Sequence, residues 1–152
     1  MSQIPGPIQK RDILFGVKKA SPSQLSEIAS ELETLGWISD AADFYKRAES
    51  TEALEKLKQA AILEGNTFLL TKICRFLGST DSMQGFLREC ARNAEGQQKF
   101  RYALKAYELL EDVDNSERIR ALISTDADIV AEAQTSVFIP QSEDAIEDAD
   151  SE

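Results

Sequence analysis

The chain contains no histidine and only two cysteines, Cys74 and Cys90. Histidine is the commonest metal ligand and the side chain that most often acts as a general base near pH 7, so its absence removes the usual basis for both functions. The cysteines form neither a zinc-binding pattern nor a CxxC redox pair. Phosphate-binding P-loops and GxGxxG turns are also missing from the sequence. We therefore expect a protein that is not an enzyme, with no catalytic residues, no bound metal and no cofactor.

Long apolar runs are absent too. No segment approaches the ~20 apolar residues that a transmembrane helix requires. The first ten residues, MSQIPGPIQK, lack the apolar core of a signal peptide. Both cysteines fall on predicted apolar helix faces, which is typical of small buried side chains in a reducing compartment. We expect a cytoplasmic protein with no membrane association.

Negative charge exceeds positive charge, and the distribution of the charges along the chain matters more than the formal net charge of −10. From Ser124 onward there are nine carboxylates and no Lys or Arg, which leaves 18 acidic and 17 basic residues before that point. Nucleic-acid binding needs a surplus of Lys and Arg on one surface. The one cationic run, at 10–19, is interpreted as the solvated face of a short helix. We predict no nucleic-acid partner, and a helical-repeat RNA-binding protein is a disfavoured alternative.

The segment 25–48 has the apolar spacing of two short helices joined at a glycine. Gly36 stands where a helix end favours a residue with positive φ, and Ser39 or Asp40 can cap the next helix. The apolar positions recur at i, i+3, i+4 and i+7 in both arms, at Leu25, Ile28, Ala29 and Leu32 and at Ala41, Phe44, Tyr45 and Ala48. Such a hairpin cannot bury its apolar face alone, so it needs neighbours.

The same pattern recurs along the chain. A shift of 29 residues places Leu25 on Leu54 and Gly36 on Gly65, and a further shift of 33 reaches Leu87. The copies are degenerate: Lys58 and Leu70 replace alanines of the other two units, and Gln98 replaces the glycine. Three copies of one helical hairpin are the simplest account of this pattern.

These residues resemble the tetratricopeptide repeat. The resemblance is carried by Ala29, Gly36 and the spacing of Ala41, Tyr45 and Ala48, occurs again over 91–110, and covers roughly 21–124. It implies an all-α fold of antiparallel helical hairpins, stacked as a short right-handed α-solenoid of seven to eight helices. It also implies binding of peptide segments or partner helices, without naming a partner.

The chain divides into a flexible N-terminus (1–6), a helical-repeat domain (7–124) and an acidic, largely disordered tail (125–152). Caps, glycines and apolar periodicity predict helices over 7–18, 22–35, 41–48, 52–64, 68–77, 82–94, 98–110 and 116–123, with a further turn or two over 128–134. From Thr135 the tail is low in apolar residues and rich in carboxylates, so we expect it to be disordered.

The tail contains one compact apolar motif, Val137, Phe138 and Ile139, followed directly by acidic residues. This arrangement resembles the short motif that binds ubiquitin-like modifiers, in which an added strand pairs with the edge of a partner's sheet. The alternative is that the motif folds back on the body of the protein.

The repeat resemblance also implies a groove lined by the first helix of each hairpin. Its candidate partner-binding residues are Ser26, Ser30, Glu55, Gln59, Arg88 and Arg92. Arg88 and Arg92 are four residues apart and can face one carboxylate together, or can simply bind neighbours and water. The asparagines and lysines of the family's carboxylate-clamp version are missing. The acidic tail is a candidate ligand in cis, an intramolecular contact that a partner would displace.

The sequence therefore predicts a non-enzymatic protein–protein interaction module, an adaptor or assembly factor. The alternative is a structural subunit that is permanently buried in a larger complex.

Overall fold

The computed structural model describes residues 5–16 and 20–137, with side chains up to residue 127. Within these residues the chain forms helices and no strand, which confirms the all-α prediction. The eight helices are α1 (Pro7–Phe15), α2 (Pro22–Thr34), α3 (Ile38–Arg47), α4 (Thr51–Leu63), α5 (Thr67–Leu77), α6 (Met83–Gly96), α7 (Phe100–Leu109) and α8 (Val113–Val137).

Most helix ends lie within a few residues of their predicted positions, but α8 differs. It begins at Val113 and continues to Val137, across the predicted boundary at 125. No glycine or proline occurs between Gly96 and Pro140, and residues 127–134 are rich in alanine with glutamate and glutamine, which favour helix. The first part of the predicted tail is therefore helical, and residues 138–152 lie outside the described residues.

The helices pack mainly against their neighbours in the chain. The pairs α2 and α3, α4 and α5, and α6 and α7 form three hairpins, called here the first, second and third hairpins, and α8 packs against α7. Contacts also join α3 with α5, α4 with α6 and α5 with α7. This order of contacts is compatible with a helical-repeat fold.

All three hairpins end their helices in the same backbone conformation. Among the described residues, six have positive φ: Gly36, Gly65 and Gln98 after the first helices, and Glu49, Gly78 and Glu111 after the second helices. Both sets are spaced by 29 and then 33 residues, as the sequence predicts. After each position, the next backbone N–H donates to the carbonyl five residues earlier, at 2.8–3.1 Å, which satisfies a helix-end carbonyl. Gln98 thus adopts the left-handed conformation that glycine provides in the other two hairpins.

Small residues occupy the interior of the first and third hairpins. Ala29 and Ala41 are fully buried, and so are their counterparts Ala91 and Ala103. In the second hairpin the equivalent residues are Lys58 and Leu70, which are also buried.

The ammonium group of buried Lys58 has two partners. Its Nζ lies 2.5 Å from Glu55 Oε2 and 4.7 Å from the ring centroid of Phe86 on α6. A lysine is tolerated in this interior position because one carboxylate and one aromatic face accept its charge.

Helix α1 packs on the first hairpin through Leu14, which is buried, and through Lys10, which pairs with Asp40 and Asp43 of α3. Asp43 also binds Lys72 of α5 at 2.8 Å, so one carboxylate links three helices. None of the described helices is both long enough and apolar enough to cross a membrane.

Candidate functional site

A cleft opens between the first helices of the first two hairpins. Helix α4 packs against α6, but α2 and α4 have far fewer contacts, and a space of about 750 Å³ lies between them. We call it the first cleft. Its lining residues are Ser26 and Glu33 from α2, Tyr45, Glu49 and Ser50 at the end of the first hairpin, and Thr51, Glu52, Ala53 and Lys56 from α4.

Polar groups with defined partners line this cleft. The buried Tyr45 donates its hydroxyl hydrogen bond to Glu33 Oε2 at 2.9 Å. Burial, and then the hydrogen bond to the Glu33 carboxylate, raise the pKa of Tyr45 to about 12. Ser26 and Ser50 share a hydrogen bond of 3.0 Å between their hydroxyl groups.

The cleft carries more negative than positive charge. Three of its lining residues are carboxylates and one, Lys56, is a cation whose Nζ lies 3.0 Å from Glu52 Oε1. The surplus favours a cationic ligand over an anionic one.

The third hairpin repeats the tyrosine–glutamate pair. Tyr107 and Glu95 follow Tyr45 and Glu33 by 62 residues, and the Tyr107 hydroxyl donates to Glu95 Oε1. Burial and the Glu95 carboxylate raise the pKa of Tyr107 to about 12. In the second hairpin the equivalent residues are Ile62 and Cys74, so two buried side chains of the hydrophobic core replace the polar pair.

Arg118 of α8 binds the glutamate of the tyrosine–glutamate pair in the third hairpin. Its Nη1 and Nη2 donate to the two carboxylate oxygens of Glu95 at 3.0 and 2.8 Å. These hydrogen bonds are the main reason why the pKa of Glu95 is lowered. The same hydrogen bonds raise the pKa of Arg118. The guanidinium thus links α8 to α6 through the Glu95 carboxylate.

The predicted groove residues fall into two rows of equivalent positions. Ser26, Glu55 and Arg88 form one row, and Ser30, Gln59 and Arg92 form the other. Ser26 lines the first cleft, and the Ser30 side chain is exposed beside Tyr45. Glu55 instead binds Lys58, so its carboxylate pairs with a buried charge inside the second hairpin.

Arg88 and Arg92 are exposed on α6 together with Gln59 on α4. Neither arginine forms an ion pair with any described residue. The pKa of Asp112 is lowered mainly by hydrogen bonds from Asn115, and the charge of Arg88 lowers it further.

Of the predicted tail motif, Val137 is the last residue of α8, while Phe138 and Ile139 lie outside the described residues. The carboxylates from Glu143 to Glu152, which belong to the acidic tail that is a candidate ligand in cis, also lie outside the described residues.

No protein-family model, no curated protein and no solved structure matches this chain. The resemblance to the tetratricopeptide repeat therefore stays a prediction from the sequence, and the structure shows a packing order that is compatible with a helical-repeat fold.

Sequence reasoning missed Glu33, Lys56 and Arg118. Apolar periodicity does not detect them because all three are exposed polar side chains. The signal that finds them is the 62-residue spacing, which relates Glu33 to Glu95 and Lys56 to Arg118.

Tyr45 and Tyr107 are expected to ionise later than free phenols. Their folded pKa of about 12 lies above the unfolded value of 10.0, so the neutral phenols contribute stability that is fully present below pH 10 and is lost as the pH rises through the folded pKa. A spectrophotometric phenolate titration of the folded protein should show two late ionisations, and Tyr45→Phe and Tyr107→Phe should each remove one. Titration in concentrated urea provides the control, since both late ionisations should then disappear. If either variant still showed both late ionisations, the assignment to Tyr45 and Tyr107 would be wrong.

Proposed function

We propose that this chain is a non-enzymatic protein–protein interaction module, an adaptor or assembly factor, that binds a peptide or helix on the surface formed by the first helices of its hairpins. The observation that supports this proposal is the first cleft, which is open, polar and bordered by two helices of a repeated unit. Stacked helical hairpins generally present such surfaces to extended or helical partners.

The composition supports the rest of the proposal. A chain without histidine lacks the most common general base, and its near-neutral body lacks the surplus of basic residues that nucleic-acid binding needs. We therefore propose a tetratricopeptide-like interaction domain that acts in the cytoplasm without a cofactor.

Selection of a displayed peptide library against the full chain tests this function. Selected peptides, added to the isotope-labelled protein, should move the backbone amide signals of α2 and α4 around the first cleft, or those of the rows that include Arg88 and Arg92. Signals that move only on α1, or a library that yields no binding peptide, would contradict the proposed surface.

Exposed apolar side chains favour a second candidate function, a structural subunit buried in a larger complex. On α1, Phe15 is 81% exposed and Ile8 is 72% exposed, and on α4 Leu63 is 68% exposed. Large exposed apolar side chains often mark protein contacts. Sedimentation distinguishes the candidates, because an adaptor should remain monomeric when purified alone, whereas an obligate subunit should self-associate.

A further inference from the structure

The first and third hairpins contain the same tyrosine–glutamate pair, but only the glutamate of the third hairpin also binds an arginine. In each, a buried tyrosine donates its hydroxyl hydrogen bond to a glutamate of the preceding helix, Tyr45 to Glu33 and Tyr107 to Glu95. Each hairpin is followed by a helix, α4 or α8, that places a basic residue at the same position, Lys56 or Arg118. In the third hairpin this basic residue binds the glutamate, so it shows which chemical group the tyrosine–glutamate pair accepts.

That group is a guanidinium. Arg118 donates to both carboxylate oxygens of Glu95, at 3.0 and 2.8 Å, and the Tyr107 hydroxyl donates to one of the same oxygens, Oε1. A planar guanidinium with two parallel donors matches a carboxylate in this way, whereas an ammonium group is a point charge with no fixed fork.

The first hairpin lacks the guanidinium. Lys56 stands at the position of Arg118, but its side chain is 74% exposed and its Nζ pairs with Glu52 on its own helix at 3.0 Å. Among the described residues no cation lies within ion-pair distance of Glu33, whose carboxylate keeps the hydrogen bond from Tyr45. At the position between α2 and α4 that is equivalent to Arg118 between α6 and α8, the first cleft has about 750 Å³.

We propose that the first cleft binds an arginine side chain from a basic segment of a partner protein, with the guanidinium on Glu33 as Arg118 lies on Glu95. Glu49 and Glu52 line the same cleft and add the negative charge that attracts a basic segment. This inference rests on the proposed function and names the chemistry of the partner. The guanidinium that binds the first hairpin thus comes from a partner protein, whereas the one that binds the third hairpin comes from Arg118 of the same chain.

The test uses the full chain and three blocked tripeptides, acetyl-Gly-Arg-Gly-amide and its lysine and citrulline counterparts. In an NMR titration, the arginine peptide should move the backbone signals of Glu33, Tyr45 and Glu52. The lysine peptide should bind several-fold more weakly, and the uncharged citrulline peptide should cause no shift. Glu33→Gln should weaken arginine binding by about tenfold or more, because it removes charged hydrogen bonds.

Two reciprocal variants test the comparison between hairpins. Lys56→Arg rebuilds the internal pair, so it should weaken peptide binding by about tenfold through competition. Lys105→Arg, which makes the same change on α7, should leave binding unaltered. Arg118→Lys should open the third site, so that the arginine peptide also moves the signals of Glu95 and Tyr107. Circular dichroism confirms that each variant is folded.

Equal binding of the lysine peptide, or binding that Lys56→Arg leaves intact, would overturn the arginine site. If the backbone NMR signals of the cleft moved with protein concentration and not with added peptide, the cleft would bind a second copy of the chain. That result would also overturn the arginine site. These failures are distinct from a failure of the proposed function: library peptides that bind around α2 and α4, together with an arginine tripeptide that does not bind, would uphold the function and reject the arginine site. If no library peptide binds but the tripeptide does, the arginine site stands without the wider surface.

Discussion

Gly65→Ala is expected to lower the free energy of unfolding by about 3 kcal/mol, the sum of a backbone cost and an overpacking cost. Gly65 has a φ of +66°, which L residues adopt at a cost of roughly 1–2 kcal/mol. A Cβ at this position would lie 2.5 Å from both the backbone N and the Cα of Ala94 on α6. Since these are backbone atoms, relief requires α4 and α6 to move apart.

Gly36→Ala is the matched control. Gly36 occupies the same position in the first hairpin, with a φ of +81°, but a Cβ there meets no atom within 4 Å. It should therefore show the backbone cost alone, about 1 kcal/mol. Urea denaturation of both variants measures the difference, which reports the close contact between the second and third hairpins. Equal losses in the two variants would show that this contact is absent in solution.

Glu55→Gln is expected to lower the free energy of unfolding by about 2 kcal/mol because it leaves the charge of Lys58 without its carboxylate. Breaking a fully buried ion pair costs about 3–5 kcal/mol, and solvent screening reduces that figure here because the Glu55 side chain is 46% exposed. The Lys58 side chain is only 8% exposed, so its ammonium group has little access to water as a substitute. Glu55 was a candidate groove residue, and this loss would identify it as a structural one.

Lys58→Met provides the test of this cause. Methionine keeps the length of the side chain without the charge, so the single variant should change stability by less than about 1 kcal/mol. In the Lys58→Met background, Glu55→Gln should then cost almost nothing, and the double-mutant cycle should return a coupling of about 2 kcal/mol. If Glu55→Gln costs the same in both backgrounds, the carboxylate stabilises the fold in some other way.

Much of the helical architecture follows from local sequence signals. Ser21 and Pro22 predict the start of α2, and Ser21 does accept the hydrogen bond of the Gln24 backbone N–H. The predicted spacing of 29 and 33 residues recurs in the backbone at all six helix ends, even where Glu49 or Gln98 replaces glycine. These features are predictable because caps, turns and apolar periodicity each act within a few residues.

The candidate site was less predictable, since it depends on distances between helices. The gap between α2 and α4 has no local signature, because neither helix differs in pattern from the helices that pack closely. The bond between Arg118 and Glu95 spans 23 residues and joins polar groups that an apolar pattern ignores. Lys58 replaces an alanine of the repeat, but only the position of Glu55 and Phe86 beside it explains how the chain accommodates its charge.

The repeats differ in length at one place. Leu54 follows Glu49 by five residues, whereas Leu87 follows Gly78 by nine, so the four additional residues lie after Gly78. Thr80, Asp81 and Ser82 in this segment are exposed, and both flanking hairpins keep their internal spacing. The segment is thus a natural position for an epitope tag, an inserted reporter domain or the new termini of a circular permutant.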